Sequence, residues 1–286
     1  MADGYGKRVW RCGGRSVSFD RTRVMGIVNV TPDSFSDGGL WLDAGRAVEH
    51  GLRLVAEGAD LLDVGGESTR PGAAGVDPDE EARRVLPVIR SLAAQCGVPV
   101  SVDTRRPEVA RAAVEAGACI VNDILPFAGD AAMAAVVRET GSGVVLMHMR
   151  GTPQTMADCA VYADVVAEVE AALQASLAYA DAEGIGRGQI VVDPGIGFAK
   201  TTAHNVSLLA ATARLARLAP VLVGASRKRF IGELCREPDA RARVGGSVGA
   251  AVWCALQGAA VVRVHDVKAT CQALTVVCEV AGHKGD

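Results

Sequence analysis

Short β-branched runs recur along this chain at intervals averaging about 34 residues, and nearly every run ends in a polar side chain. They cover residues 24–29, 61–65, 98–103, 120–123, 143–148, 190–193, 221–225 and 261–265. Stretches rich in Ala, Leu, Glu and Arg with helical periodicity lie between them, among them 43–58, 78–95, 107–117 and 158–184. The third opens on a proline and closes on a glycine, as helices do. This is the spacing of βα units, not of hairpins. Eight continuous apolar strands, each followed by a helix, predict a parallel (β/α)8 barrel of the TIM type. The competing open, doubly wound sheet needs an edge strand, and no run is polar enough to be one.

Before the first run, residues 8–12 and 16–19 flank Gly13-Gly14 and read as a β-hairpin that can plug one end of the barrel. The 286 residues suit a single domain, with 1–23 as the hairpin segment and 24–286 as the barrel. Hydrophobic content of 49% with 22% charge is enough for a large core. A net charge of −3 gives no reason to expect nucleic acid or acidic lipid as partner, so any anion site must be built locally. The eight cysteines show neither C-x-x-C nor zinc-finger spacing and read as free thiols. With no signal-type start and no membrane-length apolar run, a cytoplasmic protein is expected.

Position makes the polar residues informative. Asn29, Asp63, Asp103, Asn122 with Asp123, His148, Asp193, Ser226-Arg227-Lys228, and Arg263 with His265 all fall at strand C-terminal ends. In a barrel those ends meet at one mouth, where such enzymes keep their chemistry. A single such residue is usually a cap or a turn former; eight in register are not explained by capping. Asp103, Asn122 and Asp193 offer acceptors and an amide suited to a flat heterocycle with amino and ring N–H edges. Lys228, Arg263 and His265 form a cationic cluster after the last two strands, the usual phosphate site of barrels. The alternative for Arg263 is an ion pair with Asp266 or Asp193. Phe198, in the glycine-rich loop after Asp193, is placed to stack on a ligand. Lys200 is either solvated or reaches the mouth. No zinc motif is present, and Mg²⁺ carried in by a phosphorylated substrate and touched by Asn29 suits the oxygen-rich mouth. Ser226 has Arg and Lys beside it in sequence, not a base.

Together these segments resemble the dihydropteroate synthases, the pterin-binding barrels of folate synthesis that sulfonamides inhibit. The resemblance runs in order through Met25–Gly39, Asp63-Val-Gly-Gly-Glu-Ser-Thr-Arg-Pro-Gly72, Ser101-Val-Asp-Thr104, Asn122-Asp-Ile124, the 147–156 segment from Met147, Asp193–Thr201, Ser226-Arg-Lys228 and Arg263-Val-His-Asp-Val267. It implies an enzyme that joins 6-hydroxymethyl-7,8-dihydropterin pyrophosphate to p-aminobenzoate and releases pyrophosphate. It implies pterin contacts from Asp103, Asn122, Asp193 and Lys228, with Met147 against the ring. Asn29, Arg263 and His265 are implied to hold pyrophosphate and Mg²⁺. The p-aminobenzoate pocket is implied to comprise Thr69, Arg70, Pro71, Phe198, Lys200 and Ser226, with Pro32 and Phe35. Asp103, Lys228, Arg263 and His265 carry the expected catalysis, and a homodimer through outer helices is implied, the apolar C-terminal helix being a candidate face.

The chain departs from the family pattern at Ile196, Ala199 and Leu125-Pro126, none of which removes a charged group. Three other classes are weighed against this one. A methyltransferase partner domain has no use for the Ser-Arg-Lys and Arg-x-His cluster. A silent paralogue should have lost a polar group at the mouth. An aldolase needs a Schiff-base lysine within a strand.

Overall fold

The computed structural model describes residues 9–30, 40–68, 75–123, 131–152 and 154–282. The expected positions Pro32, Phe35, Thr69, Arg70, Pro71, Leu125 and Pro126 lie outside the described residues. A hairpin of β1 (Val9–Cys12) and β2 (Arg15–Ser18) comes first. Eight strands follow: β3 (Arg23–Asn29), β4 (Leu61–Gly65), β5 (Val100–Asp103), β6 (Ile120–Asp123), β7 (Gly143–Met147), β8 (Ile190–Asp193), β9 (Leu222–Val223) and β10 (Val261–Val264). They pair in parallel in the order β8-β7-β6-β5-β4-β3-β10-β9, and a parallel bridge between Val192 and Val221 joins the two ends. The expected (β/α)8 barrel is therefore present, and the open sheet is excluded.

Helices α1 (Leu40–Ala56), α2 (Pro78–Gln95), α3 (Pro107–Glu115), α4 (Ala131–Thr140), α5 (Val165–Ala182), α6 (Thr202–Ala210), α7 (Thr212–Leu215), α8 (Arg229–Cys235), α9 (Val244–Leu256) and α10 (Val267–Gly282) surround the strands. Alternate strand residues such as Val28, Leu62, Val64, Val102 and Val121 face these helices in one buried cluster. α5 starts later than the helical periodicity from residue 158 suggests. The Asp164 carboxylate accepts from the amides of Val166 and Ala167, while Glu168 reaches back to the amides of Ala163 and Asp164. This reciprocal cap fixes the start.

The hairpin is the floor. Trp10, Cys12, Val17 and Phe19 pack under Met25, Leu61, Ile120, Val145, Val191, Leu222 and Val261, one residue from each of seven barrel strands. Trp10 is 1% exposed, and its indole N–H donates to the Gln189 carbonyl at 2.7 Å. A Cβ on Gly143 would stand 2.8 Å from both Cys12 Sγ and Trp10 Nε1, so β7 must begin with a bare backbone there. The plug expected from sequence is thus in place. Truncating Trp10 to Ala should cost about 3–5 kcal/mol, from the cavity and the lost indole bond. Urea unfolding of the variant would check this.

Candidate active site

Two residues above each floor residue, the same alternation turns the next side chain inward. Above Leu61 stands Asp63, above Ile120 Asn122, above Val145 Met147, above Val191 Asp193 and above Val261 Arg263. Asp103 holds the matching place on β5, and Asn29 ends β3 one step higher. Asp63, Asp103, Asn122, Met147, Asp193 and Arg263 therefore come from separate strands and share one interior, and the period of two accounts for their spacing from the floor.

Arg263 joins two acids in this interior. Arg263 Nε donates to Asp63 Oδ2 at 2.6 Å, and Arg263 Nη2 donates to Asp103 Oδ2 at 2.7 Å. Asn122 Nδ2 donates to the same Asp63 oxygen at 3.0 Å. Arg263 is thus paired, but with neither Asp266 nor Asp193. The Asp266 carboxylate accepts from Arg227 Nε at 2.9 Å instead. Burial pushes the Asp103 carboxyl up to about 7; Arg263 pulls it down and Asp63 adds to the rise. Burial also raises Asp193, opposed by Lys228 and by the amide of Gly195, which donates to Asp193 Oδ1 at 2.7 Å. Lys228 is pushed down to about 8 by its burial, with Asp193 acting against the shift.

The loop after β8 is shaped by contacts that leave no room for side chains. A Cβ on Gly195, at φ +67°, would lie 2.0 Å from the His148 carbonyl oxygen. Lys228 Nζ donates to the Ile196 carbonyl and sits 4.3 Å from the centre of the Phe198 ring. One face of that half-buried ring therefore meets a cation. Ala199, where the family pattern has glycine, takes φ +48°, a conformation that costs an alanine roughly 1–2 kcal/mol. It packs with Met147, Met149 and Met156.

Lys200 is not solvated. It is 6% exposed, its Nζ lies 3.1 Å from His148 Nδ1, and it donates to the Phe198 carbonyl at 2.9 Å. Burial lowers Lys200 to about 7 and His148 to about 3, Lys200 adding to the histidine's shift. The amine joins the loops after β7 and β8. Ser226, whose sequence neighbours are Arg and Lys, has a base beside it in space: His265 Nδ1 is 3.0 Å from its Oγ, which also accepts from the His265 amide at 3.2 Å. The adjacent acid, Asp266, is bound to Arg227. Arg227 itself takes φ +60°, with its amide donating to Ser247 Oγ and its carbonyl accepting from Arg243 Nη1.

Two groups escaped the sequence reading as site components. Asp63 was visible as a strand-end acid without a role; its signal was an acid at an inward position between Leu61 and Gly65 on a strand buried throughout. The other is the network in which Glu67 binds Arg105 at 3.0 Å and Arg106 at 2.9 Å, while Arg106 also holds the buried Glu81 of α2. That link fastens the loop after β4 to the loop after β5 and follows no motif spacing.

A parallel barrel whose mouth combines acceptors for a heterocycle with a cationic half is the architecture of a pterin-binding enzyme, and the model of that family, described as "Pterin binding enzyme", matches residues 25–265. The chain belongs to this family. It is 50% identical over 270 residues to the dihydropteroate synthase of Mycobacterium leprae, covering 91% of this chain and 94% of that one. The structure is similar to that of Xanthomonas albilineans dihydropteroate synthase with 4-aminobenzoic acid, with a TM-score of 0.92 and 51% identity, over 98% of this chain and all of the other. The Xanthomonas albilineans enzyme in complex with 7,8-dihydropteroate aligns with a TM-score of 0.88 and 49% identity, over 96% of this chain and all of that one. Within the pterin-binding enzymes the chain falls among the dihydropteroate synthases.

Lys200 also makes a pH prediction. Its folded pKa, about 7, lies below the ordinary 10.5, so between those values the unfolded chain carries a proton that the folded one does not. Its stabilising share is complete above the upper value and is lost as pH falls through the lower. Native protein should therefore gain stability relative to Lys200→Met as pH rises from about 7 to about 10, measured as urea midpoints of both proteins.

Proposed function

We propose that this chain condenses 6-hydroxymethyl-7,8-dihydropterin pyrophosphate with p-aminobenzoate to give 7,8-dihydropteroate and pyrophosphate. The observation that carries the reading is the division of one barrel mouth into two halves. Asp193, Asn122 and Asp103 present acceptors around a pocket floored by apolar side chains, and Lys228, Arg263 and His265 supply the cations beside it. In this reading Asp103, Asn122, Asp193 and Lys228 hold the pterin, and Met147 packs on its face. Asn29, Arg263 and His265 take the pyrophosphate. Phe198 and Ser226 line the p-aminobenzoate pocket, with Pro32, Phe35, Thr69, Arg70 and Pro71 of the two loops. Lys200 serves that pocket by fixing Phe198, since its amine is committed to the Phe198 carbonyl and His148.

Mg²⁺ fits the residues present. Among the described residues no three His, Cys, Asp or Glu side chains cluster as a metal cage, and Asn29 brings an amide oxygen to the C-terminal end of β3. Three carboxylates, Asp63, Asp103 and Asp193, face two cations, Arg263 and Lys228, so pyrophosphate charge needs further neutralisation. One hard oxygen donor beside a substrate rich in phosphate oxygens is the usual setting for this ion. When bound, Mg²⁺ supplies Lewis-acid stabilisation of charge on the departing pyrophosphate.

The aniline nitrogen of p-aminobenzoate is neutral near pH 7 and needs no strong base. The demanding step is breakage of the bond between the pterin methylene carbon and the pyrophosphate oxygen. Arg263, His265 and Lys228 stabilise the charge that builds on that oxygen. The methylene cation is delocalised into the pterin ring, with ionised Asp103 beside it. The nitrogen lone pair then closes the C–N bond, and its proton passes to water or to the departing pyrophosphate. The ionisation-first order is part of the proposal. Accumulation of no pterin cation and no slow pyrophosphate loss without p-aminobenzoate would favour concerted displacement.

The described strands contain no lysine, which removes the ground for a Schiff-base aldolase. We further propose that residues 1–286 act as a single pterin-binding domain, with 1–23 as its hairpin segment and 24–286 as the barrel, in the cytoplasm. Among the described residues no helix is long and apolar enough to cross a membrane. A homodimer through the outer helices is also proposed, supported by exposed Trp253 and Leu256 on α9 and Val276 and Val280 on α10.

Purified protein with both substrates and Mg²⁺ should form dihydropteroate and pyrophosphate in equal amounts. Asp193→Ala and Arg263→Ala should each lower kcat/KM by about 100-fold or more. Pterin binding without product would leave a silent pterin-binding barrel instead.

A further inference from the structure

Asp63 touches neither the rim nor solvent; it is wholly buried at the centre of the mouth. A single oxygen, Oδ2, accepts from both Asn122 Nδ2 and Arg263 Nε, while Oδ1 has no hydrogen-bond partner among the described residues. Those two donors lie on opposite sides of the functional division, Asn122 on β6 with the heterocycle acceptors and Arg263 on β10 with the cations. A buried carboxylate is costly unless opposite charge and donors surround it, so the contact is not incidental.

We propose that Asp63 is a positioning residue for the reaction assigned above, and that its one oxygen sets the orientation of the Asn122 amide and the Arg263 guanidinium together. The inference rests on the condensing function argued in the preceding section. With its N–H2 group committed downward to Asp63, Asn122 turns its carbonyl oxygen toward the pocket and reads N–H donors of a ligand. With Nε on Asp63 and Nη2 on Asp103, Arg263 keeps Nη1 for an anion and cannot swing away from the pterin methylene position. Loss of Asp63 lets the amide rotate and leaves Arg263 on Asp103 alone. Pterin pyrophosphate binding and its ionisation should then suffer together, while p-aminobenzoate binding should not.

A second consequence separates positioning from mere support of the fold. The groups that face Asp103 are Arg263 from β10, Asp63 from β4, Glu81 from α2 and Lys228 from the loop after β9. Asp63 raises Asp103 by like charge, and Arg263 lowers it. Removing the Asp63 charge should lower Asp103, so activity that needs ionised Asp103 should persist to lower pH.

The test uses native enzyme, Asp63→Asn and Asp63→Ala, with thermal unfolding, separate KM values for the two substrates, kcat, and the pH profile of kcat/KM. Asp63→Asn keeps the volume and should unfold within a few degrees of native. Its kcat/KM for pterin pyrophosphate should fall about tenfold or more, its KM for p-aminobenzoate should stay within about twofold, and its acid limb should move to lower pH. Asp63→Ala should lose more, and if it does not fold the Asn variant carries the test alone. Native-like kcat/KM in Asp63→Asn overturns the proposal. So does a loss that raises both KM values alike with the acid limb unmoved. Native protein that forms no dihydropteroate overturns the functional reading itself, whereas native turnover with an indifferent Asp63→Asn overturns the positioning role only.

Discussion

A charged group turned into the dry interior of a closed sheet must meet its opposite there, and the Asp63–Arg263–Asp103 chain satisfies that constraint in this barrel. The guanidinium reaches two strands beyond its own neighbour β3, so one side chain spans three places in the wall. Without the carboxylates, Arg263 would have to leave the interior; without Arg263, two acids would face one another. The pairing also ties the cationic half of the mouth to the acidic half. Each draws the other into register, and Asn122 is fastened to the same oxygen.

Backbone strain falls on the loops that close around this core. Arg227 is left-handed, yet its side chain, amide and carbonyl are all engaged, by Asp266, Ser247 and Arg243 respectively. The kink separates the directions of adjacent residues: Arg227 turns to Asp266, while Ser226 meets His265 and Lys228 meets the loop after β8. Ala199 shows the same economy in the opposite loop, held by three methionines. Strained backbone beside a ligand pocket is sustained when its surroundings over-determine it.

The barrel was legible in the sequence because its signal is repetition. Eight β-branched runs with polar ends require only that strands alternate inside and outside, and the floor cluster and mouth residues obey that period. The hairpin was legible for the same reason, through Gly13-Gly14 between two short runs. What the sequence hid depended on distance in space. Ser226 looked remote from any base, yet His265 arrives from 39 positions away. Lys200 could be read as solvated or as reaching the mouth, and folding buries it against His148, 52 positions distant. Arg263 read as part of a cationic cluster, with Asp266 or Asp193 as the alternative partner, whereas its partner Asp63 lies 200 positions earlier. Ion pairing between strands carries no spacing rule, so pattern reading locates the groups and leaves their partners open.

The hairpin floor makes the barrel a vessel with a single opening. Whatever enters must leave by the way it came, and the order of occupants is then a matter of depth. Met147 and Asn122 lie on strands and Phe198 and Ser226 on the loops beyond them, so in the proposed function the pterin would sit deeper and the p-aminobenzoate above it would block its departure. The proposed condensation would remove that obstacle, because it fuses both occupants into one molecule that can be withdrawn whole.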